Sequence, residues 1–258
     1  MESGVSWLQL IFFALVGSVV SLAGGVYLLF GGKNALLLQK IATPFAAGAL
    51  LAASFFDLLP EALGISSAHV VSTWVLVGFL FFFVAERGLR WFHHHHEHEG
   101  ESKQDQSNRS LIIIGDTIHN FLDGLAIGAA FLVSPATGIV TTLAVATHEI
   151  PQEIGDFGLL LKKGMSKKHV FVVNLLSALT TVIGAAIVFG FGENLKLPTD
   201  ALLAITAGFF IYIAAADIIP SIHNKENART ANIETAILIC ATIFVAITTM
   251  LVHSLIEV

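Results

Sequence analysis

Two stretches of this chain carry side chains that bind cations, at spacings that put them on one helix face. The first reads Gly115-Asp116-Thr-Ile-His119-Asn120-Phe-Leu-Asp123-Gly124, and the second His148-Glu149-Ile-Pro151-Gln152-Glu153-Ile-Gly155-Asp156. At ~100° per residue, Asp116, His119, Asn120 and Asp123 fall within an arc of roughly 100°. His148, Glu149, Gln152, Glu153 and Asp156 fall within roughly 140° on the same geometry. His119/Asp123, His148/Gln152 and Glu149/Glu153 are i,i+4 pairs, so each pair can aim at one point. Imidazole nitrogens with carboxylate and amide oxygens suit Zn²⁺, and also Fe²⁺ and Mn²⁺. The two facing stripes hold enough ligands for two neighbouring ions.

The elements that carry these residues make the chemistry unusual. Of 258 residues, 55% are hydrophobic and 12% charged, about half the charge of a soluble domain. Eight stretches are read as membrane-spanning helices, at roughly 7–30, 38–60, 69–91, 111–133, 137–160, 170–191, 201–220 and 233–256, each near the ~20 apolar residues a span requires. No alternating pattern of a membrane β-barrel is present. The first stretch has no basic lead-in and is read as a span rather than a cleaved leader. The polar stripes lie in spans four and five, at mid-bilayer. An ionised carboxylate there costs ~3 kcal/mol, so Asp123, Glu149, Glu153 and Asp156 together cost on the order of 10 kcal/mol. A bound cation would offset that cost. A network of protonated, hydrogen-bonded carboxylates is the competing reading, and nine polar residues in two stripes disfavour it.

With the N-terminus placed outside, 12 of the 13 Lys and Arg fall on inner loops and only Lys196 lies outside. That bias fixes both termini as extracytoplasmic. Net charge −6 excludes a nucleic-acid binder that works by phosphate neutralisation. A single cysteine, Cys240, excludes an internal disulfide and a thiolate metal cluster. Ala47-Gly48 and Asp57-x-x-Pro60 in span two match Ala207-Gly208 and Asp217-x-x-Pro220 in span seven without a gap. Spans five apart run in opposite directions, so the match predicts an inverted repeat pairing spans 1–3 with 6–8, as in many transporters.

HNFLDG followed by HEIPQEIGDF resembles the ZIP family of divalent-metal transporters, in the subfamily carrying HNFxDG and HExPHExGD. The resemblance extends to the number of spans, the outside termini and the His-rich loop. It implies an all-α membrane protein of eight transmembrane helices in a 3+2+3 inverted-repeat arrangement, with a binuclear metal site between helices four and five. By position, His119, Asp123, His148 and Gln152 resemble the ligands of one site, and Asn120, Asp123, Glu149 and Gln152 those of its neighbour. Glu153 joins the candidates. One residue departs from the pattern: Gln152 stands where the subfamily has histidine. The expected function is import of Zn²⁺, or of Fe²⁺ or Mn²⁺, into the cytoplasm across the plasma membrane.

The chain is read as one transmembrane domain, 1–258, with a polar, disordered-looking cytoplasmic loop at 92–110. His93, His94, His95, His96 and His98 in that loop can bind metal loosely. Asp57 and Glu61 at one end of the path, and Asp217 and His223 at the other, read as acids and ligands that concentrate cations at pore mouths. Asn174, Ser177 and Thr181 read as interhelical hydrogen-bonding residues, and His69 and His253 as interfacial ones. The expected partners are the metal ion and the lipid bilayer, with a homodimer as a candidate assembly and no resident cofactor. No phosphate-binding loop for ATP is present. The alternative is an intramembrane metal-dependent hydrolase, since HEIPQ superficially resembles HExxH.

Overall fold

A computed structural model describes residues 5–30, 34–95, 101–195, 197–223 and 227–256 of the chain. Regular structure among these residues is entirely helical, as a lipid environment demands when every backbone group must be satisfied within its own segment. The first span forms two helices, α1 (Trp7–Ser18) and α2 (Leu22–Leu29). A capping box starts α1: Gln9 N donates to Ser6 Oγ at 3.2 Å, and Ser6 N donates to Gln9 Oε1 at 2.8 Å. The break falls beside Ser18 and Ser21, whose hydroxyls donate to the carbonyls of Ala14 and Ser18. Such back-bonding bends helices.

Spans two and seven share one irregularity. Helix α3 (Ala35–Ala53) passes through a π-helical turn at Ser54–Leu58 into α4 (Leu59–Ile65). Further along the chain, α9 (Thr199–Tyr212) passes through a π-helical turn at Ile213–Ile218 into α10 (Ile219–His223). Pro60 and Pro220 are each the second residue after their turn. Proline has no N–H and its ring collides with the carbonyl four residues back. A wider turn relieves that collision.

The other elements are α5 (Ala68–His95), α6 (Glu101–Val133), α7 (Pro135–Lys162), α8 (Lys167–Leu195) and α11 (Ala228–Ile256). The segment expected to be a polar loop is therefore largely helical. α5 runs to His95 and α6 starts at Glu101. The reason is local: Glu101, Lys103 and Gln104 are good helix formers and extend α6 beyond its apolar part.

Six helical stretches are long and apolar enough to cross a membrane among the described residues: 7–29, 37–65, 68–88, 167–192, 199–222 and 229–255. Spans four and five were expected to qualify as well. α6 and α7 have the length, 33 and 28 residues, but their histidines, amides and acids together make them less apolar than these six. These are the two helices that carry the polar stripes.

Two groups of helices pack mainly within themselves. α6 lies along α8 and α7 along α1 and α2, while α3 lies along α11 and α5 along α9. The groups meet chiefly where α3 crosses α7 and α6 crosses α9. Close approach depends on missing side chains. A Cβ on Gly124 would lie 2.1 Å from the Thr181 carbonyl oxygen, and one on Gly184 2.5 Å from that of Phe121. The sequence GLAIG of α6 is thus packing surface against α8.

Candidate metal centre

Depth is set by the α6–α7 hairpin. Only Ser134 separates the two helices, and its hydroxyl caps α7 by accepting from Thr137 N at 3.1 Å. Pro135 starts the helix, where its lack of an N–H has no consequence. Counted from Ser134, His119 lies 15 residues back and His148 14 residues forward. At 1.5 Å per residue both are about 21–23 Å from the turn. The open end of the hairpin is tied as well, because the Arg109 guanidinium donates to the Lys163 carbonyl.

Four candidate ligands converge there: His119, Asp123, His148 and Glu149, each with a donor atom within 4.8 Å of the others. His119 Nε2 lies 3.2 Å from His148 Nε2. His148 Nε2 is 3.0 Å from Asp123 Oδ2 and 3.8 Å from Glu149 Oε1. His119 Nε2 is 3.8 Å from Asp123 Oδ2 and 3.6 Å from Glu149 Oε1. A tetrahedral zinc with bonds of 2.0–2.1 Å has ligand atoms about 3.3 Å apart. These five separations bracket that edge.

The surroundings orient the ligands. His148 Nδ1 lies 3.1 Å from the Ala144 carbonyl, which can only accept. Nδ1 therefore carries the proton and Nε2 presents its lone pair, the usual arrangement at a metal-bound imidazole. His119 Nε2 lies 3.2 Å from that lone pair, at a distance where either a shared proton or a cation joins the two rings. Neither oxygen of Glu149 has a hydrogen-bond partner, although its side chain is 1% exposed. An unpaired buried carboxylate is costly in the absence of a cation.

The other expected ligands sit around this group. Asn120 is fully buried and held on the α8 side: its Nδ2 donates to Asp116 Oδ1 at 3.0 Å, and its Oδ1 accepts from Thr181 Oγ1 at 3.0 Å. Ser177 Oγ is 3.5 Å from Asn120 Nδ2, so Ser177 and Thr181 do form interhelical hydrogen bonds. Asn174 instead donates to the Val170 carbonyl of its own helix. Gln152 lines a cavity next to the cluster, and Glu153 is buried one turn from Glu149.

That cavity holds about 540 Å³. It reaches His119 and His148, runs past Asp116, Gln152 and Asp156, and is bounded by Gln39 and Glu86. Gln39 and Glu86 adjoin Lys40 and Arg87 in sequence, and Leu159 lies three residues before Lys162, so the cavity opens at the Lys/Arg-rich end of the bundle. Toward the opposite end, Leu50, Ile127, Phe131, Val145, Leu203 and Phe210 are 0–1% exposed and belong to one buried apolar layer. Three wall residues carried no sequence signal, because their partners lie on distant helices. Gln39 Nε2 donates to the Pro151 carbonyl at 3.5 Å, Tyr212 Oη donates to Glu86 Oε2 at 2.6 Å, and the Phe82 ring meets His119 edge-on.

At the closed end Asp57 is buried, with its Oδ1 2.6 Å from His253 Nε2, and Glu61 Oε1 lies 4.0 Å from His253 Nδ1. His253, expected as an interfacial residue, is a hydrogen-bonding partner of Asp57, because α3 and α11 pack side by side. Asp217 lies in the second π turn, His223 ends α10, and His93, His94 and His95 end α5. Only the backbone is described for these five. His96 and His98 lie outside the described residues.

The profile of the family described as "ZIP Zinc transporter" matches residues 4–111 and 92–254. Zinc transporter ZIP10 of Danio rerio is 46% identical over 117 residues, which is 45% of this chain and 14% of that protein. Zinc transporter ZIP4 of Mus musculus is 46% identical over 121 residues, 46% of this chain and 18% of its own length. The Drosophila melanogaster zinc transporter foi is 46% identical over 112 residues, 43% of this chain and 16% of its own. Each of these matches thus covers less than a fifth of the relative's length. The helices long and apolar enough to span a bilayer mark a multi-pass membrane protein, and with the family profile matched over nearly the whole chain, it belongs to the ZIP zinc transporter family.

Proposed function

We propose that the chain carries Zn²⁺, or a related divalent ion such as Fe²⁺ or Mn²⁺, across the plasma membrane into the cytoplasm. The observation that carries this reading is the ligand group of His119, Asp123, His148 and Glu149, set at tetrahedral spacing in the membrane's interior. A second ion beside the first would share Asp123 and use Asn120, Glu149 and Gln152. α6 and α7 complete eight spans in one transmembrane domain, arranged 3+2+3 with both termini outside.

The repeated π turns support the inverted repeat, as do two matching contacts. A Cβ on Gly48 would lie 2.4 Å from the Leu238 carbonyl oxygen on α11, and one on Gly208 2.3 Å from that of Val75 on α5. In this orientation the cavity faces the cytoplasm and the apolar layer seals the outside. Opening that layer while closing the cavity would give alternating access. Asp57 and Glu61 then mark the entry, Asp217 and His223 the exit, and the His-rich stretch a loose metal buffer inside. A homodimer is the proposed assembly. The hydrolase alternative finds no support. The test is uptake of Zn²⁺, Fe²⁺ and Mn²⁺ into proteoliposomes, measured side by side. Flux of none of them through correctly inserted protein would sink the reading.

Gln152→His tests ion preference. It exchanges an oxygen donor beside the cluster for a nitrogen donor, which Zn²⁺ accepts readily and Mn²⁺ less so. The competition ratio of Zn²⁺ over Mn²⁺ should rise about tenfold, or ~1.4 kcal/mol. An unchanged ratio would mean that residue 152 does not touch the metal.

A further inference from the structure

A second group of acids lies between the four ligands and the cavity mouth. Asp116 on α6 precedes His119 by three residues, and Glu153 and Asp156 on α7 follow Glu149 by four and seven. α6 runs away from the mouth and α7 toward it, so all three are displaced in the same direction. Asp116 and Glu153 sit about one helical turn, ~5 Å, nearer the mouth, and Asp156 further still.

Asp116 and Asp156 line the cavity. Glu153 is 0% exposed and neither of its carboxylate oxygens has a hydrogen-bond partner. Asp116 and Asp156 lie near enough for their charges to act on this unpaired carboxylate. Asp116 is steadied from α6 and α8 by Asn120, at 3.0 Å, and by Ser177. Three neighbouring acids on two packed helices, one of them buried without a donor, form a place that calls for positive charge.

The donor chemistry differs from that of the histidine group. There is no nitrogen ligand here, only carboxylate oxygen beside a cavity wide enough for water. Such a set suits a hard or partly hydrated cation and holds borderline-soft Zn²⁺ less firmly than imidazole does. Conduction needs sites weak enough to leave as well as favourable enough to enter. We propose that Asp116, Glu153 and Asp156 form an oxygen-only cation site that takes the ion from the histidine group and releases it into the cavity. Its role as a relay rests on the transport reading above; its existence as a binding site does not.

The test uses the full chain, in detergent for binding and in proteoliposomes for flux, with Mn²⁺ and Zn²⁺ as probes. Wild type should bind Mn²⁺ at a site that survives His119→Ala/His148→Ala and disappears in Asp116→Asn/Glu153→Gln/Asp156→Asn. The triple variant should keep tight Zn²⁺ binding yet carry Zn²⁺ at least tenfold more slowly. Should the triple variant not fold, the near-isosteric Glu153→Gln alone should weaken Mn²⁺ binding tenfold or more. Mn²⁺ binding that follows the histidines rather than the acids overturns the site, as does wild-type Mn²⁺ binding in the acid variants. Undiminished Zn²⁺ flux in the acid variants overturns the relay. A wild type that binds Mn²⁺ through the acids but moves no metal refutes the transport reading and the relay role together, while leaving the binding site in place.

Discussion

Asp123→Ala is expected to abolish metal uptake while the protein still inserts. Asp123 supplies the carboxylate nearest the imidazoles, 3.0 Å from His148 Nε2 and 3.8 Å from His119 Nε2. It also shares the position that a second ion would use. Removing an outer-shell partner of a metal site typically costs 10–100-fold in affinity or activity. Losing a charged ligand should exceed that range, so uptake should fall by roughly 100-fold or more. Insertion should persist, because removing a carboxylate from the middle of a helix lowers the cost of partition by ~3 kcal/mol. The measurement is Zn²⁺ uptake into proteoliposomes, normalised to inserted protein. Near-normal uptake would remove α6 from the mechanism.

The second large effect is structural. Gly124→Ala places a methyl group 2.1 Å from the Thr181 carbonyl oxygen. That oxygen belongs to the backbone, so no rotamer change relieves the clash and α8 must move by about 1 Å to restore ordinary contact. Overpacking of this kind costs ~1–3 kcal/mol or more. Thr181 also donates to Asn120 Oδ1 at 3.0 Å, so the shift disturbs the wall of the metal group. Gly88→Ala is the control, because nothing lies within 4 Å of a Cβ there and alanine is the better helix former. Thermal unfolding in detergent should show the first variant several degrees lower, at ~2–4 °C per kcal/mol, and the second unchanged or higher. Equal stability of the two would mean that α6 and α8 are not in the close contact described.

Gln152→His completes the set of ligand tests, because it changes donor type without removing a charge. Together with Asp123→Ala it separates holding a metal from choosing one.

The shared face of the candidate ligands was legible in the sequence because one-dimensional spacing fixes the face of a helix. His119 and Asp123, like His148 and Gln152, are four residues apart, and no tertiary contact is needed to align them. Their similar depth was legible too, since both stripes fall near the centres of spans four and five, and the one-residue connection at Ser134 is what the structure adds to that register. The resemblance of the two Asp-x-x-Pro segments reappears as two π turns, because proline imposes its steric constraint locally wherever it stands.

The tertiary structure decided which of the nine polar residues form one group. Spacing gave all nine a place on the stripes, but only packing against α8 turns Asn120 toward Asp116 and Thr181 and leaves His119, Asp123, His148 and Glu149 to converge. Packing of α3 on α11 likewise brought His253 to Asp57, across 196 residues of chain. It also decided which end of the site is open. A buried apolar layer and a cavity are built from several helices at once, and no periodicity within one helix encodes the space between them.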